Sequence, residues 1–170
     1  MAFGTPGIAP GVLGYKSVTR VLLLGPYKPT ESLGVLEALR ECLRRNGYVL
    51  AEIVRDIPYR EIKNGEAPDS YFLEKSKNII SNWAQVVIFV FPSNCDYAGV
   101  IIEFDYMLYE AGWLRDTSAA FFEKKDLEKT SLMLRGQVKS SNVNQRFFST
   151  GDELCEAALS ELTSFLLALY

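Results

Sequence analysis

Glu103 is the residue of this sequence best placed to do chemistry. It stands in Gly99-Val100-Ile101-Ile102-Glu103-Phe104-Asp105-Tyr106-Met107-Leu108, a stretch that reads as a helix and is apolar on most sides. A helix starting near Gly99 puts Glu103 on one face with Val100, Tyr106 and Met107, at spacings of three and four. Acids near a helix start are common, because the macrodipole favours them. Among apolar neighbours, however, a carboxylate is costly unless it is paired or faces a cleft. A cleft carboxylate with few charge partners can act as a nucleophile or as a general acid and base.

The chain contains no histidine. Ser-His-Asp and Cys-His arrangements are therefore excluded, as is a His-ligated metal site. Cys42, Cys95 and Cys155 are far apart in sequence and form no CxxC pair, which argues against a zinc ribbon or a redox dithiol. Cys95 has no histidine to deprotonate it and reads as an inert thiol. Neither GxxxxGK[ST] nor GxGxxG occurs. No metal and no organic cofactor is expected.

The elements around Glu103 follow from punctuation and periodicity. Val86-Val87-Ile88-Phe89-Val90-Phe91 is a fully apolar run of the kind found in a strand buried on both faces. A turn, Pro92 to Ala98, leads from it into the Glu103 helix. Upstream, Thr19 to Leu24 reads as a first buried strand, ending at Gly25-Pro26-Tyr27-Lys28-Pro29. Thr30 suits an N-cap, and Leu33, Leu36, Leu39 and Leu43 recur at helical spacing until Asn46-Gly47. Tyr48 to Val54 is a second strand. Tyr71 to Trp83 is a helix with Phe72, Ile79, Ile80 and Trp83 facing inward. Ser118 to Phe122 is a fourth strand, Lys124 to Arg135 carries a short surface helix, and Arg146-Phe147-Phe148 lies in a fifth strand. Thr150 to Glu153 fits a capping box, and Leu154, Ala158, Leu162, Phe165 and Leu169 make the last helix amphipathic.

Strands alternating with helices argue for an α/β domain of three layers, with about five mostly parallel strands and helices on both faces. The default for such a chain is the flavodoxin-like, Rossmann-like order 2-1-3-4-5. That order makes the first and third strands neighbours. Their loops, Gly25 to Tyr27 and Ser93 to Gly99, then face each other across one crevice at the carboxyl edge of the sheet. Open α/β sheets bind their ligands there. In it, Tyr27 would stack on a base or hold a sugar, or be no more than a half-buried loop aromatic. The free N–H groups near Ala98 and Gly99 would bind an anion or a sugar hydroxyl, or simply start a helix. Asp96 would hold a ribose hydroxyl or orient Glu103, or else cap backbone N–H groups.

Two segments resemble the nucleoside 2-deoxyribosyltransferase-like proteins: Val21-Leu22-Leu23-Leu24-Gly25-Pro26-Tyr27, and Ala84-Gln85-Val86-Val87-Ile88 leading to Gly99-Val100-Ile101-Ile102-Glu103-Phe104-Asp105-Tyr106. The family pattern is roughly Asp-x-Gly-x-x-x-Glu-φ-Gly-Tyr-Ala. Its Glu attacks the anomeric carbon and its Asp positions the sugar or base. By position Glu103 matches the nucleophile, Gly99 the loop glycine and Tyr106 the helix tyrosine. Asp96 falls one residue early, Tyr97 standing in the matching place, and Asp105 replaces the usual Gly. The resemblance covers Thr19 to Leu114. It implies Glu103 and Asp96 as catalytic residues, and Gly25, Pro26, Tyr27, Ser93, Gly99 and Tyr106 as substrate-binding residues. The implied reaction is cleavage or exchange of the N-glycosidic bond of a nucleoside or nucleotide. Toll/interleukin-1 receptor-like domains share the layout and a catalytic Glu that cleaves NAD. The Pro-Gly-Gly-x-Gly-Thr motif of cytokinin-activating phosphoribohydrolases is absent.

The remaining expectations come from bulk properties. A length of 170 residues favours one domain, 17–170, after a flexible arm at 1–16. That arm lacks the basic and apolar regions of a signal peptide, so a cytoplasmic protein is expected. A net charge of −3 gives no basic footprint for nucleic acid, and no apolar run reaches membrane-spanning length. The partner would be a small nucleoside or nucleotide. The last helix is more apolar than one core-facing stripe needs, which points to a homodimer or higher homo-oligomer. A non-catalytic nucleotide-binding or sensing module is the alternative to an enzyme.

Overall fold

The computed structural model describes residues 14–125, 127 and 132–170. Most of the arm expected at 1–16, and much of the stretch from 124 to 135, lie outside these residues. Residues 14–16 form one helical turn, and Tyr15 stacks on Tyr170 with ring centroids 4.0 Å apart.

Five parallel strands form one sheet: β1 (Val21–Leu24), β2 (Ala51–Ile53), β3 (Val86–Phe91), β4 (Ser118–Glu123) and β5 (Asn144–Phe148). Their order is β2-β1-β3-β4-β5, as the alternating pattern predicted. The helices are α1 (Thr30–Arg45), α2 (Pro68–Asn82), α3 (Ala98–Tyr109), α4 (Leu132–Ser140) and α5 (Gly151–Leu169). Every residue of β1 and β3 is buried, because these central strands are covered on both faces. Alternate side chains divide the core in two. Val21, Leu23, Ile88 and Val90 pack with α1 and α5, whereas Leu22, Leu24, Phe89 and Phe91 pack with α2 and α3.

Several boundaries differ from the sequence expectation. Pro29, not Thr30, is the N-cap residue of α1, and no side chain caps that end. Instead the Ser32 hydroxyl donates to the Pro29 carbonyl at 2.5 Å. β2 is cut to three residues because Tyr48 to Leu50 form a turn, closed by the Ala51 N–H on the Tyr48 carbonyl at 3.0 Å, and Val54–Asp56 coil into a 3-10 turn. Phe72, expected inward, is 48% exposed; Tyr71 and Ser76 face the core instead. The α2 helix starts three residues earlier than expected, at Pro68, which suits a first helical position. In α5, Leu166 is buried and Leu169 is exposed, so the apolar stripe leaves the core one turn before the end. The capping box forms in a shifted version. Thr150 accepts from the Glu153 N–H, and the Glu153 carboxylate accepts from the Ser149 N–H at 2.7 Å.

Two features fasten the α1–α5 layer. A disulfide joins Cys42 of α1 to Cys155 of α5, their Cα atoms 6.2 Å apart. Glu161, 2% exposed on α5, accepts from the side chains of Asn144 and Arg146 on the edge strand β5.

Candidate functional site

The site is built where α2, α3 and the loop after β1 meet. Glu103 lies in the second turn of α3, and its carboxylate accepts one hydrogen bond, from the Ser76 hydroxyl of α2 at 2.7 Å. Among the described residues it has no other hydrogen-bond partner and no cationic one. Part of the side chain reaches the surface, and the carboxyl group is largely enclosed, its unbonded oxygen keeping some access to solvent. That enclosure raises its pKa to about 7, with the Ser76 hydrogen bond opposing the rise. An acid that changes charge near neutrality, without a salt-bridge partner, is what nucleophilic or acid–base work requires.

Tyr27, on the loop after β1, lies within electrostatic reach of this carboxylate. Burial first, and the Glu103 charge second, push its phenol well above the ordinary tyrosine range. Tyr27 is therefore a neutral hydroxyl at any physiological pH. The Tyr27 oxygen accepts from the Arg55 backbone N–H at 3.3 Å, and the Arg55 carbonyl accepts from Lys75 Nζ at 3.0 Å. Lys75 is 5% exposed, and burial lowers its pKa. The 3-10 turn at Val54–Asp56 thus forms one wall, tied to Tyr27 on one side and to α2 on the other.

Gly25 and Pro26 support the loop from below. A Cβ on Gly25 would lie 2.8 Å from the Val90 carbonyl oxygen and 3.1 Å from a Leu36 methyl group. Glycine is thus required for β1 to leave the sheet between β3 and α1. Pro26 is buried.

The other expected residues sit around the rim or deeper. Asp96 is exposed, and its Oδ1 accepts from the Ala98 N–H at 2.9 Å, an Asx turn just ahead of α3, whose N-cap residue is Tyr97. Gly99 is exposed with open space around its Cα. Ser93 is held by Glu123 of β4: its N–H donates to that carboxylate at 2.7 Å, and its hydroxyl donates to the Lys125 carbonyl at 2.6 Å. Cys95 points its thiol at the Ser93 carbonyl, and burial raises its pKa, in keeping with an inert thiol. Tyr106 is one turn beyond Glu103, its hydroxyl 2.8 Å from Ser81 Oγ and its ring under Lys77 Nζ. Tyr97 packs edge-on against Phe91, and its hydroxyl bonds the Pro92 carbonyl. Asp105 turns away from Glu103 and accepts from Gln137 of α4.

The structure therefore places Tyr27 within electrostatic reach of Glu103 and leaves Asp96 in the turn before α3. It adds Ser76, Lys75 and the Arg55 main chain, which sequence reasoning missed. The missed signal was the pair Lys75-Ser76, two polar residues on the inward face of an amphipathic helix. A separate cleft of about 420 Å³ lies in the opposite layer between α1 and α5, lined partly by Cys42 and Cys155. None of the expected site residues borders it.

No protein-family model matches the sequence, and no curated protein matches it. Among solved structures, the fold is similar to that of the CMP N-glycosidase BcmB of Clostridium botulinum. The TM-score is 0.55 at 18% sequence identity, over 84% of this chain and 98% of the other. The likeness is one of architecture: a parallel five-stranded sheet with helices on both faces. No helix of the described residues is long and apolar enough to cross a membrane.

Proposed function

We propose that this protein cleaves the N-glycosidic bond of a nucleoside or nucleotide, with Glu103 as the nucleophile. One observation carries the reading: a largely enclosed carboxylate between α2 and α3 whose only hydrogen-bond partner among the described residues is a neutral hydroxyl, within electrostatic reach of Tyr27. The fold shared with a CMP N-glycosidase supports the same class of reaction and favours a pyrimidine nucleotide as the first substrate to try.

In the proposed reaction the ionised Glu103 attacks C1′. The C1′–N bond breaks, its electron pair leaves with the base, and the base takes up a proton. Water or a second base then attacks C1′ and expels the Glu103 carboxylate, giving net retention of configuration. Tyr27, held neutral, offers a hydroxyl to the sugar. Asp96 and the N–H groups at Ala98 and Gly99 would contact the substrate from the rim, with Ser93 nearby, and Gly25 and Pro26 set the loop that carries Tyr27. Tyr106 borders the same α2–α3 seam.

The test is a screen of CMP, other nucleotides, nucleosides and NAD for base release, with wild type and Glu103→Gln side by side. Wild-type turnover should rise with pH through about 7, as Glu103 ionises, and the Gln variant should lose it while still binding. Equal turnover by the two proteins would refute the assignment. The engagement of Asp96 in the turn before α3 favours a second reading, a nucleotide-binding module without turnover. Ligand binding by wild type with no base release would select it.

A further inference from the structure

We propose that Ser76 is a positioning residue for Glu103, fixing one carboxylate oxygen on α2 so that the other is left unbonded and open to a substrate. The inference rests on the proposed function and concerns a residue outside every part of the Glu103 motif.

The geometry is specific. Ser76 is 6% exposed, in the middle of α2, and donates to Glu103 Oε1 at 2.7 Å. A serine facing the core of a helix is commonly satisfied by the carbonyl four residues earlier. Here the hydroxyl instead reaches across to α3. Bonding one oxygen removes the free rotation of the carboxyl group about its last torsion, which is otherwise broad and twofold. The remaining oxygen, Oε2, has no hydrogen-bond partner among the described residues. Holding a nucleophile in one orientation is the ordinary way a protein gains from proximity.

The neighbouring charges do not offer a substitute. Tyr27 approaches from the β1 loop, and the Glu103 charge pushes its titration upward. On α2, Lys75 is committed to the Arg55 carbonyl and Lys77 lies over the Tyr106 ring. Arg55 and Asp56, on the 3-10 turn, are paired with each other, and Arg55 also with Glu37. From α4, Gln137 meets Asp105 rather than Glu103. Among the described residues, Ser76 is the single donor that favours the ionised carboxylate.

The experiment compares Ser76→Ala and Ser76→Thr with wild type, using two measurements. The first is the titration of the Glu103 carboxyl carbon, followed by NMR in protein labelled at glutamate and assigned with Glu103→Gln. Loss of a hydrogen bond to a charged group should move the Ala variant's midpoint up by about one pH unit, and Thr should restore it. The second is base release from the nucleotide that wild type cleaves. The Ala variant should lose at least about tenfold in kcat, with KM little changed and the rising limb of the pH profile displaced upward. An unmoved midpoint, or a moved midpoint with unchanged kcat, overturns the positioning role. A wild type and Glu103→Gln that release base equally overturn the proposed function itself, so the two failures are told apart.

Discussion

Replacing Glu103 with Gln should stabilise the protein increasingly as pH rises from about 4.5 to about 7, and by a constant amount above that. The folded-state pKa of about 7 lies above the ordinary value of 4.5, so the folded protein holds a proton that the unfolded chain has released. Stability therefore falls as pH rises from about 4.5 to about 7, and stays low above that. At about 1.36 kcal/mol for each pH unit, the full gap corresponds to about 3 kcal/mol. Water at the exposed part of the side chain reduces this to about 2 kcal/mol. Gln keeps the shape and the acceptor for Ser76 but carries no charge, so it escapes the cost. For a chain of this length, about 2 kcal/mol corresponds to a gain of roughly 4–8 °C in Tm. Thermal melts of both proteins at about pH 4 and about pH 8 isolate the effect, because all other titrations cancel in the difference. The expected pattern is near equality at the lower pH and a more stable variant at the higher. A Gln variant less stable at the higher pH, or a difference independent of pH, would refute the argument that enclosure raises this carboxyl group.

Two further outcomes follow from packing and covalent structure. Gly25→Ala should destabilise the protein by roughly 1–3 kcal/mol in urea titration, because the new Cβ meets the Val90 carbonyl at 2.8 Å and backbone must move; a loss under half a kcal/mol would refute it. Cys42→Ser, or reduction of wild type, should cost about 2–5 kcal/mol by freeing a 113-residue loop in the unfolded chain; melts unchanged by reductant would show that the cross-link contributes nothing.

The sequence made the sheet legible because its central strands are continuous apolar runs. Val86 to Phe91 was bounded to the residue, and neighbouring strands one and three followed from alternation alone. Glu103 was found because a charge interrupts an apolar helix, and that contrast survives without coordinates. What failed depended on rotation or on distant pairing. Phe72 has the right type but the wrong angle around α2, since a start at Pro68 turns Tyr71 and Ser76 inward. The departures at Tyr97 and Asp105 became intelligible only with their partners, Phe91 and Gln137, which local spacing does not supply. Cys42 and Cys155 are brought together by the packing of α1 on α5, and with three cysteines no spacing rule selects that pair. The Arg55 wall was missed because its contacts are made by main-chain atoms, which leave no mark on residue identity.

That last point bears on how the crevice would respond to engineering. The wall touches Tyr27 through an N–H and Lys75 through a carbonyl, groups that every residue but proline supplies in full. The Arg55 guanidinium is turned outward, to Glu37 and Asp56. A library at position 55 would therefore vary the charge and bulk at the mouth of the crevice while the fixed side of the site keeps its shape. Proline is the one residue there that would take the wall apart, by deleting the N–H that Tyr27 accepts. Surface charge and the anchoring of Tyr27 and Lys75 are in this way carried by different atoms of a single residue, so one can drift while the other stays put.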